Sequence, residues 1–438
     1  MLRTFFYCLL LWVVLASGSR ADDGQTPVKR LITPLAAARI EMVAQNYAAA
    51  QRILEFVLAR DPNSIEAIFL MAEVKAKQGK FADALPLYRQ ILARRPDLVR
   101  VRLDLAQAEF RTGDDEGADY NFRLALSQPN LPDTVVDNIG RYLSAIQSRK
   151  RLTYSLNVSI APDSNINAAT ASNHVTVFGL PFTLSQQAVQ KSGIGLVTTL
   201  GGGYFLPIDD GKRLRTGGVA YSALYPGHSQ FDDIQVRGNV GPQWLWNDSD
   251  VSALAVVGKR WYGNSPYSES VGGRLEGSHN LTKQLQVSSY LEGLSDSYHT
   301  EKYQNGFNLD QGNFLTYYFN PRTLVRLIAG LGYESADSSI FENWYWRSGL
   351  GLQHEFPLGI TAYVQPDVRA TYYSGFDPMF SERRLDRMYT MKISAYKRDW
   401  SLFGFSPVVS VTYTMNRSNE AIYNFHRFQV QLGVTKQF

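Results

Sequence analysis

Residues 360–373 read Ile360-Thr361-Ala362-Tyr363-Val364-Gln365-Pro366-Asp367-Val368-Arg369-Ala370-Thr371-Tyr372-Tyr373. In an extended chain Ile360, Ala362, Val364, Pro366, Val368, Ala370 and Tyr372 share one face, and the polar set from Thr361 to Tyr373 shares the other. Period two marks a β-strand with one greasy and one polar face. The alternation recurs at 283–294, where Leu285, Val287, Ser289 and Leu291 oppose Gln284, Gln286, Ser288, Tyr290 and Glu292. It recurs at 403–415, and again where Phe428, Val430, Leu432 and Val434 oppose Gln429, Gln431, Gly433 and Thr435. These runs exceed the usual five or six residues of a strand. A soluble sandwich has shorter strands and a charged polar face. A membrane barrel turns its apolar face to lipid and its polar face to a wet lumen.

Strands are expected at about 153–162, 193–205, 212–225, 231–246, 250–261, 267–279, 283–297, 308–319, 322–336, 342–355, 359–373, 383–397, 402–415 and 424–438. Fourteen is an even number, as bacterial barrels require. Alternate connections are short, at 207–211, 247–249, 280–282, 320–321, 357–358 and 398–401. Those between them are mostly longer, the longest at 163–192. Short turns at one end and longer loops at the other is the layout of outer-membrane barrels, with the short turns in the periplasm. Even parity then puts both barrel ends on the periplasmic side. Tyr225, Trp244, Trp246, Trp261, Tyr262, Tyr317, Tyr318, Trp344, Trp346, Tyr372 and Tyr373 lie near strand ends, where aromatic girdles form. Charge facing lipid is costly, so Glu292, Arg326, Glu334, Asp367, Arg369 and Lys392 are expected to face the lumen, either selecting cargo or pairing across the wall.

Before the barrel the period changes. Ala50, Ala84 and Ala118 are spaced by 34 residues, as are Leu58 and Leu92, Pro62 and Pro96, and Gly79 and Gly113. Thirty-four is the tetratricopeptide period, in which helix pairs stack into a solenoid. Small Ala lets two helices approach, large Tyr88 or Phe122 fills the gap between them, and Pro62 and Pro96 stop helices. The best units run from Ile65 to Pro96 and from Val99 to about Asn130, with a weaker first unit over 34–62 and a covering helix over 132–147. Asp115 departs from the pattern, standing where the preceding unit has aromatic Phe81. The concave face is expected to carry Glu66, Phe69, Glu73, Lys77, Arg100, Leu103, Gln107 and Arg111, a mixture suited to an extended peptide or a protein surface.

At the start, Arg3, an apolar run over 5–16 and Ser19-Arg20-Ala21 read as a secretory signal peptide over 1–21, which takes the single Cys8 with it. The expected organisation is 1–21 signal peptide, 22–150 periplasmic repeat domain and 151–438 outer-membrane barrel. The fold class is α+β multidomain, an all-α tetratricopeptide solenoid followed by a 14-stranded antiparallel transmembrane barrel. A net charge of +4 is small for 438 residues and argues against a dedicated nucleic-acid binder, which usually shows a concentrated basic face. The six His show no shared metal-ligand spacing, and no Gly-x-Ser-x-Gly or phosphate-loop pattern exists. No cofactor and no catalytic residue is expected.

Ala161-Pro162-Asp163-Ser164-Asn165-Ile166-Asn167 ends the first strand. With the leader, the short solenoid and the 14 strands, it resembles the surface lipoprotein assembly modifier family. That resemblance gives Pro162, Asp163, Ser164, Asn165 and Asn167 as a barrel motif. It implies a translocon carrying lipoproteins, or a related secreted protein, from the periplasm to the cell surface. The terminal Phe438 resembles the tag read by the barrel-insertion machinery. Implied partners are the cargo, that machinery and outer-membrane lipid. A polysaccharide-export porin with a helical-repeat adaptor stays open as the alternative; it predicts one dominant lumen charge and a longer solenoid.

Overall fold

The computed structural model describes residues 33–436 apart from 187, 399 and 401–404. The expected leader over 1–21 and the terminal Phe438 lie outside the described residues.

Among the described residues seven helices come first: α1 (Pro34–Val43), α2 (Tyr47–Arg60), α3 (Ile65–Lys77), α4 (Phe81–Arg94), α5 (Val99–Thr112), α6 (Asp115–Leu126) and α7 (Asp133–Arg149). The 34-residue register is visible in their packing. Ala50, Ala84 and Ala118 are each fully buried, and so, nearly, are Tyr88 and Phe122 between the helices they separate. Each pair turns through a left-handed residue at the same repeat position, Gln45 (φ 60°), Gly79 (φ 77°) and Gly113 (φ 86°). Only glycine takes that conformation without strain. Gln45 is therefore why the first unit reads as the weakest. Side-chain caps start three helices: Thr33 Oγ1 accepts from Ala36 N–H, Ser64 Oγ from Ala67 N–H, and Asp114 Oδ1 from Gly117 N–H. Helix α7 lies over Ala106, Ala118 and Phe122 through Ile139 and Ile146, closing the last open face of the stack.

The barrel strands are β1 (Leu152–Asp163), β4 (Gly193–Asp209), β5 (Lys212–Leu224), β6 (Asp233–Leu245), β7 (Ser249–Tyr262), β8 (Ser265–Asn280) and β9 (Leu285–Tyr298), then β10 (Gly306–Asn320), β11 (Thr323–Glu334), β12 (Asn343–Glu355), β13 (Ile360–Asp377), β14 (Glu382–Lys397), β15 (Ser406–Ser418) and β16 (Phe425–Lys436). They pair with their neighbours in chain order, and β1 closes the cylinder against both β4 and β16, all antiparallel. Fourteen strands form one closed sheet, which removes every free edge. The greasy positions face outward. Ile160, Leu200, Val257, Val271, Leu331 and Leu432, on six different strands, are 51–60% exposed. An exposed apolar surface that encircles the barrel is a lipid-facing belt.

Two features depart from the expected layout. The 163–192 connection contains its own hairpin, β2 (His174–Val177) with β3 (Leu180–Thr183). Phe178 N–H donates to Met379 O at 2.7 Å, so this hairpin reaches along the long-loop rim to the β13–β14 connection. The β7–β8 connection, on the long-loop side, is a two-residue turn through Gly263 (φ 58°) and Asn264 (φ 65°). Two consecutive left-handed residues match the twist of a hairpin and need no longer loop.

Candidate functional site at the short-turn mouth

The helical array sits across the short-turn end of the barrel. Arg102 on α5 lies on the buried side of its helix, in line with Val101, Leu105 and Glu109. Its Nη2 meets Glu355 Oε2, at the end of β12, at 2.7 Å, and both side chains are essentially inaccessible (1% and 2%). Tyr120 on α6 donates to Glu355 Oε1 at 2.8 Å and accepts from Gln353 Nε2 at 2.8 Å. Arg398 Nη1 adds a second cation at 3.3 Å from Glu355. Arg102 Nη1 also donates to Asn121 Oδ1 and Nη2 to Pro96 O, both at 2.9 Å. Burial first, and then the Glu355 carboxylate, hold the Tyr120 phenol well above its ordinary range, so it stays a donor.

Three further contacts hold the rim. Arg123 Nη1 donates to Asn280 Oδ1 at 3.0 Å, Gln284 Nε2 to Ser127 O at 3.0 Å, and Arg213 Nη1 to Gln147 O at 3.0 Å. Helices α5 to α7 are thus tied to β5, to the β8–β9 turn and to the end of β12. Between α4 to α6 and the wall lies a cavity of about 770 Å³. Its wall is bare because inward positions Gly201, Gly203 and Gly217 carry no side chain, and Arg326 reaches into it.

Above the cavity the lumen is crossed by paired charge. Glu292 takes Arg274 Nη1 at 3.2 Å and pairs with Arg237; Arg274 meets Glu276 at 2.5 Å, and Glu276 pairs with Arg215. Glu334 meets Arg369 at 3.3 Å, and the Arg369 guanidinium lies 3.6 Å from the Tyr345 ring centre. Asp367 accepts from Gln365 Nε2 at 2.8 Å, and Lys392 is the cross-strand partner of Gln365 on the same face. Arg326 Nε donates to Thr316 Oγ1 at 3.1 Å. Among the described residues, Arg326 and Lys392 have no acid within ion-pair distance.

The residues expected on the concave face lie on α3 and α5, the first helices of the second and third pairs. Glu66, Lys77, Arg100, Gln107 and Arg111 are exposed, while Phe69, Glu73 and Leu103 are half-buried. Arg100 joins the two helices, 3.7 Å from Glu73 and 2.9 Å from Asp104. Glu66 pairs with Arg39 at 2.7 Å, Gln107 donates to Tyr142 at 2.8 Å, and Phe69 packs on Tyr88 at 6.3 Å between ring centres. Leu103 packs against the Phe122 cluster, and Arg111 lies 5.8 Å from the Phe81 ring.

On the side of α5 facing the cavity, Glu109 accepts from Arg89 at 3.1 Å and from Asn121 at 2.8 Å. Burial outweighs Arg89 and pushes this carboxyl up to about 7. A folded value above the unfolded one means the folded array keeps a proton that the unfolded chain has lost. The stabilisation is full below about pH 4.5 and is lost as pH rises to about 7, a swing of about 3 kcal/mol. The helical signal of the full-length protein in detergent should therefore melt at lower temperature at pH 8 than at pH 5, and Glu109→Gln should flatten that difference. Parallel pH profiles for the two proteins would refute this.

The barrel motif builds a clasp at the opposite, long-loop end. Asp163 has a fully buried side chain that accepts Arg427 Nε and Nη2 at 2.9 and 2.5 Å, Gln429 Nε2 at 2.9 Å and Asn165 N–H at 2.9 Å. Ser164 Oγ accepts from Phe428 N–H at 2.8 Å. Asn165 Nδ2 donates to Ala169 O at 2.9 Å and His426 O at 3.0 Å, and Asn167 is bonded to Val189 O and Lys191 N–H. Pro162, beside them on β1, has Ile194 as its cross-strand partner. The motif thus joins the first strand to the last and folds the long connection back on itself.

Sequence reasoning missed Arg102, Tyr120 and Glu355. The signal was available in part, since Arg102 interrupts the apolar stripe of α5 and a charge there needs a partner.

A family model described as surface lipoprotein assembly modifier matches residues 153–438, and a tetratricopeptide repeat model matches 75–119. Surface lipoprotein assembly modifier 1 of Haemophilus influenzae is 25% identical over 379 residues, covering 83% of this chain and 75% of that protein. The protein of the same description in Neisseria meningitidis is 24% identical, covering 95% of this chain and 85% of its own. The hemophilin secretion modulator of Acinetobacter baumannii is 21% identical, covering 84% and 78% respectively.

Proposed function

The chain belongs to the surface lipoprotein assembly modifier family, and from that premise we propose that it is an outer-membrane translocon moving lipoproteins, or a related secreted protein, from the periplasm to the cell surface. The observation that carries the reading is the helical array seated over the barrel mouth. Short turns of bacterial barrels face the periplasm, so the array is periplasmic. The two cavities left between the array and the barrel mouth, of about 770 and 1370 Å³, are far too small for a protein domain. The docked arrangement is therefore the closed state, and cargo passes only when the array moves aside.

The face carrying Glu66, Phe69, Glu73, Lys77, Arg100, Leu103, Gln107 and Arg111 receives the cargo. Capture there couples binding to release of the mouth. The lumen charges make a wet wall along which a polypeptide slides without a deep binding site. The sequence has no nucleotide motif, so cargo folding or chaperone hand-off supplies the driving force. The mixed signs of the lumen favour a polypeptide over a uniformly charged polysaccharide.

The test is to co-express a candidate lipoprotein with and without this chain and to shave intact cells with protease. The lipoprotein should be cleaved only where the chain is present. Equal cleavage in both strains would overturn the translocon reading.

A further inference from the structure

Charge on the outward wall is rare among the described residues, and on β14 and β15 it is unbalanced. Arg387 on β14 and Arg417 on β15 are direct cross-strand partners. Both lie on the outward face, since Arg387 is also the partner of Ala370 on the apolar side of β13 and Tyr389, two residues on, opposes Met415. Both are exposed. Arg383, near the long-loop end of β14 and opposite Phe376, continues the same outward row. Among the described residues none of the three guanidinium groups has a carboxylate or hydrogen-bond partner.

On β7 and β8 the wall balances its own outward charge. Lys259 on β7 meets Glu269 on β8 at 2.6 Å, with His299 3.7 Å from the same carboxylate. Like charges directly opposite each other on adjacent strands repel, and a low-dielectric surrounding sharpens that. Two facing arginines on a lipid-facing wall therefore need an anion from outside the chain.

The level of the pair says which one. Trp344 and Tyr372 stack outward with ring centres 4.3 Å apart, as interfacial aromatics do. Tyr372 opposes Leu385, so Arg387 stands one outward position from that girdle toward the short-turn end, and Arg383 stands on its long-loop side. Long arginine side chains there extend their heads to the headgroup layer. Guanidinium groups match phosphate oxygens in a bidentate fork. We infer that the outward Arg387–Arg417 pair, with Arg383, binds a phosphate-bearing headgroup of an outer-leaflet lipid, a fixed lipid site on the β14–β15 wall.

The experiment uses full-length protein folded in detergent and bisphosphorylated lipid A as the probe, read by native mass spectrometry. Wild type should retain the lipid, and Arg387→Gln/Arg417→Gln should bind it at least ~10-fold more weakly. Arg387→Lys should lie between them, having charge without the fork. Lys259→Gln should bind as wild type does. Lipid A stripped of its phosphates should bind wild type no better than the double variant. Heat-shifted gel migration confirms that each variant is a folded barrel. Equal retention by wild type and the double variant would overturn the site. Full competition by inorganic phosphate at equal concentration would make it a free-phosphate site and overturn the lipid assignment. A variant that keeps lipid but loses exported cargo would make it a protein contact and would overturn it equally.

Discussion

Glu355→Ala opens the barrel. Among the described residues the carboxylate is the one acid between Arg102, Arg398 and the Tyr120 hydroxyl. Its removal leaves two cations facing an inaccessible junction, and Arg102 Nε already has no partner among the described residues. Breaking a buried ion pair by deleting one member costs about 3–5 kcal/mol. That penalty falls on the docked state alone, because an undocked Arg102 regains water. The docked population should fall by ~10²-fold or more. In a planar bilayer the variant should conduct steadily where the wild-type protein is mostly closed, and protease should cut the array from the barrel faster. A combined replacement separates the latch from general damage. Arg102→Met/Glu355→Leu/Arg398→Met removes all three charges at once, and apolar groups of similar volume are commonly neutral at such sites. It should return the closed conductance. A single variant with wild-type conductance and proteolysis would contradict the latch.

Asp163→Ala should destabilise the barrel by about 3–5 kcal/mol for a related reason at the opposite end. The carboxylate is the common acceptor for Arg427, Gln429 and the Asn165 N–H, and it bridges β1 to β16 where the cylinder closes. Without it Arg427 faces inward uncompensated, and the turn that starts the long connection loses its anchor. Asp163→Asn keeps an acceptor for Asn165 N–H and Gln429 and should lose less. The measure is the urea concentration at which the heat-shifted gel band disappears in vesicles. An unchanged midpoint for Asp163→Ala would show that the seam is held by its backbone ladder alone.

The barrel was legible because its rule is local. Each strand such as Ile360–Asp377 must alternate to satisfy lipid on one side and water on the other, so its face is written in consecutive residues. The solenoid was legible for a different reason: Ala84 and Ala118, or Gly79 and Gly113, repeat at a fixed interval. The hairpin Val175–Phe182 was hidden because its four-residue strands are held by the long-loop rim through Met379 and not by their own pattern. The Gly263-Asn264 turn was hidden because layout rules set an average for loops, while two positive-φ residues set this one. The latch was the least legible. Arg102 and Glu355 are 253 residues apart in the chain, and no local rule connects a helix in one domain to a strand end in another. The motif at 161–167 suggested importance before its chemistry could be seen, because Arg427 and Gln429 reach it only when the sheet closes.

On the proposed mechanism the helical array must leave the mouth for cargo to cross. Arg123 and Asn280 face each other across that junction at 3.0 Å. Arg123→Cys/Asn280→Cys, bridged in intact cells by a short thiol reagent that a reductant cleaves, would pin the array in place. Surface exposure of a co-expressed lipoprotein, followed by protease shaving, should stop on bridging and resume on reduction, while each single cysteine variant exports throughout. Continued export through the bridged protein would show that cargo crosses with the array still docked.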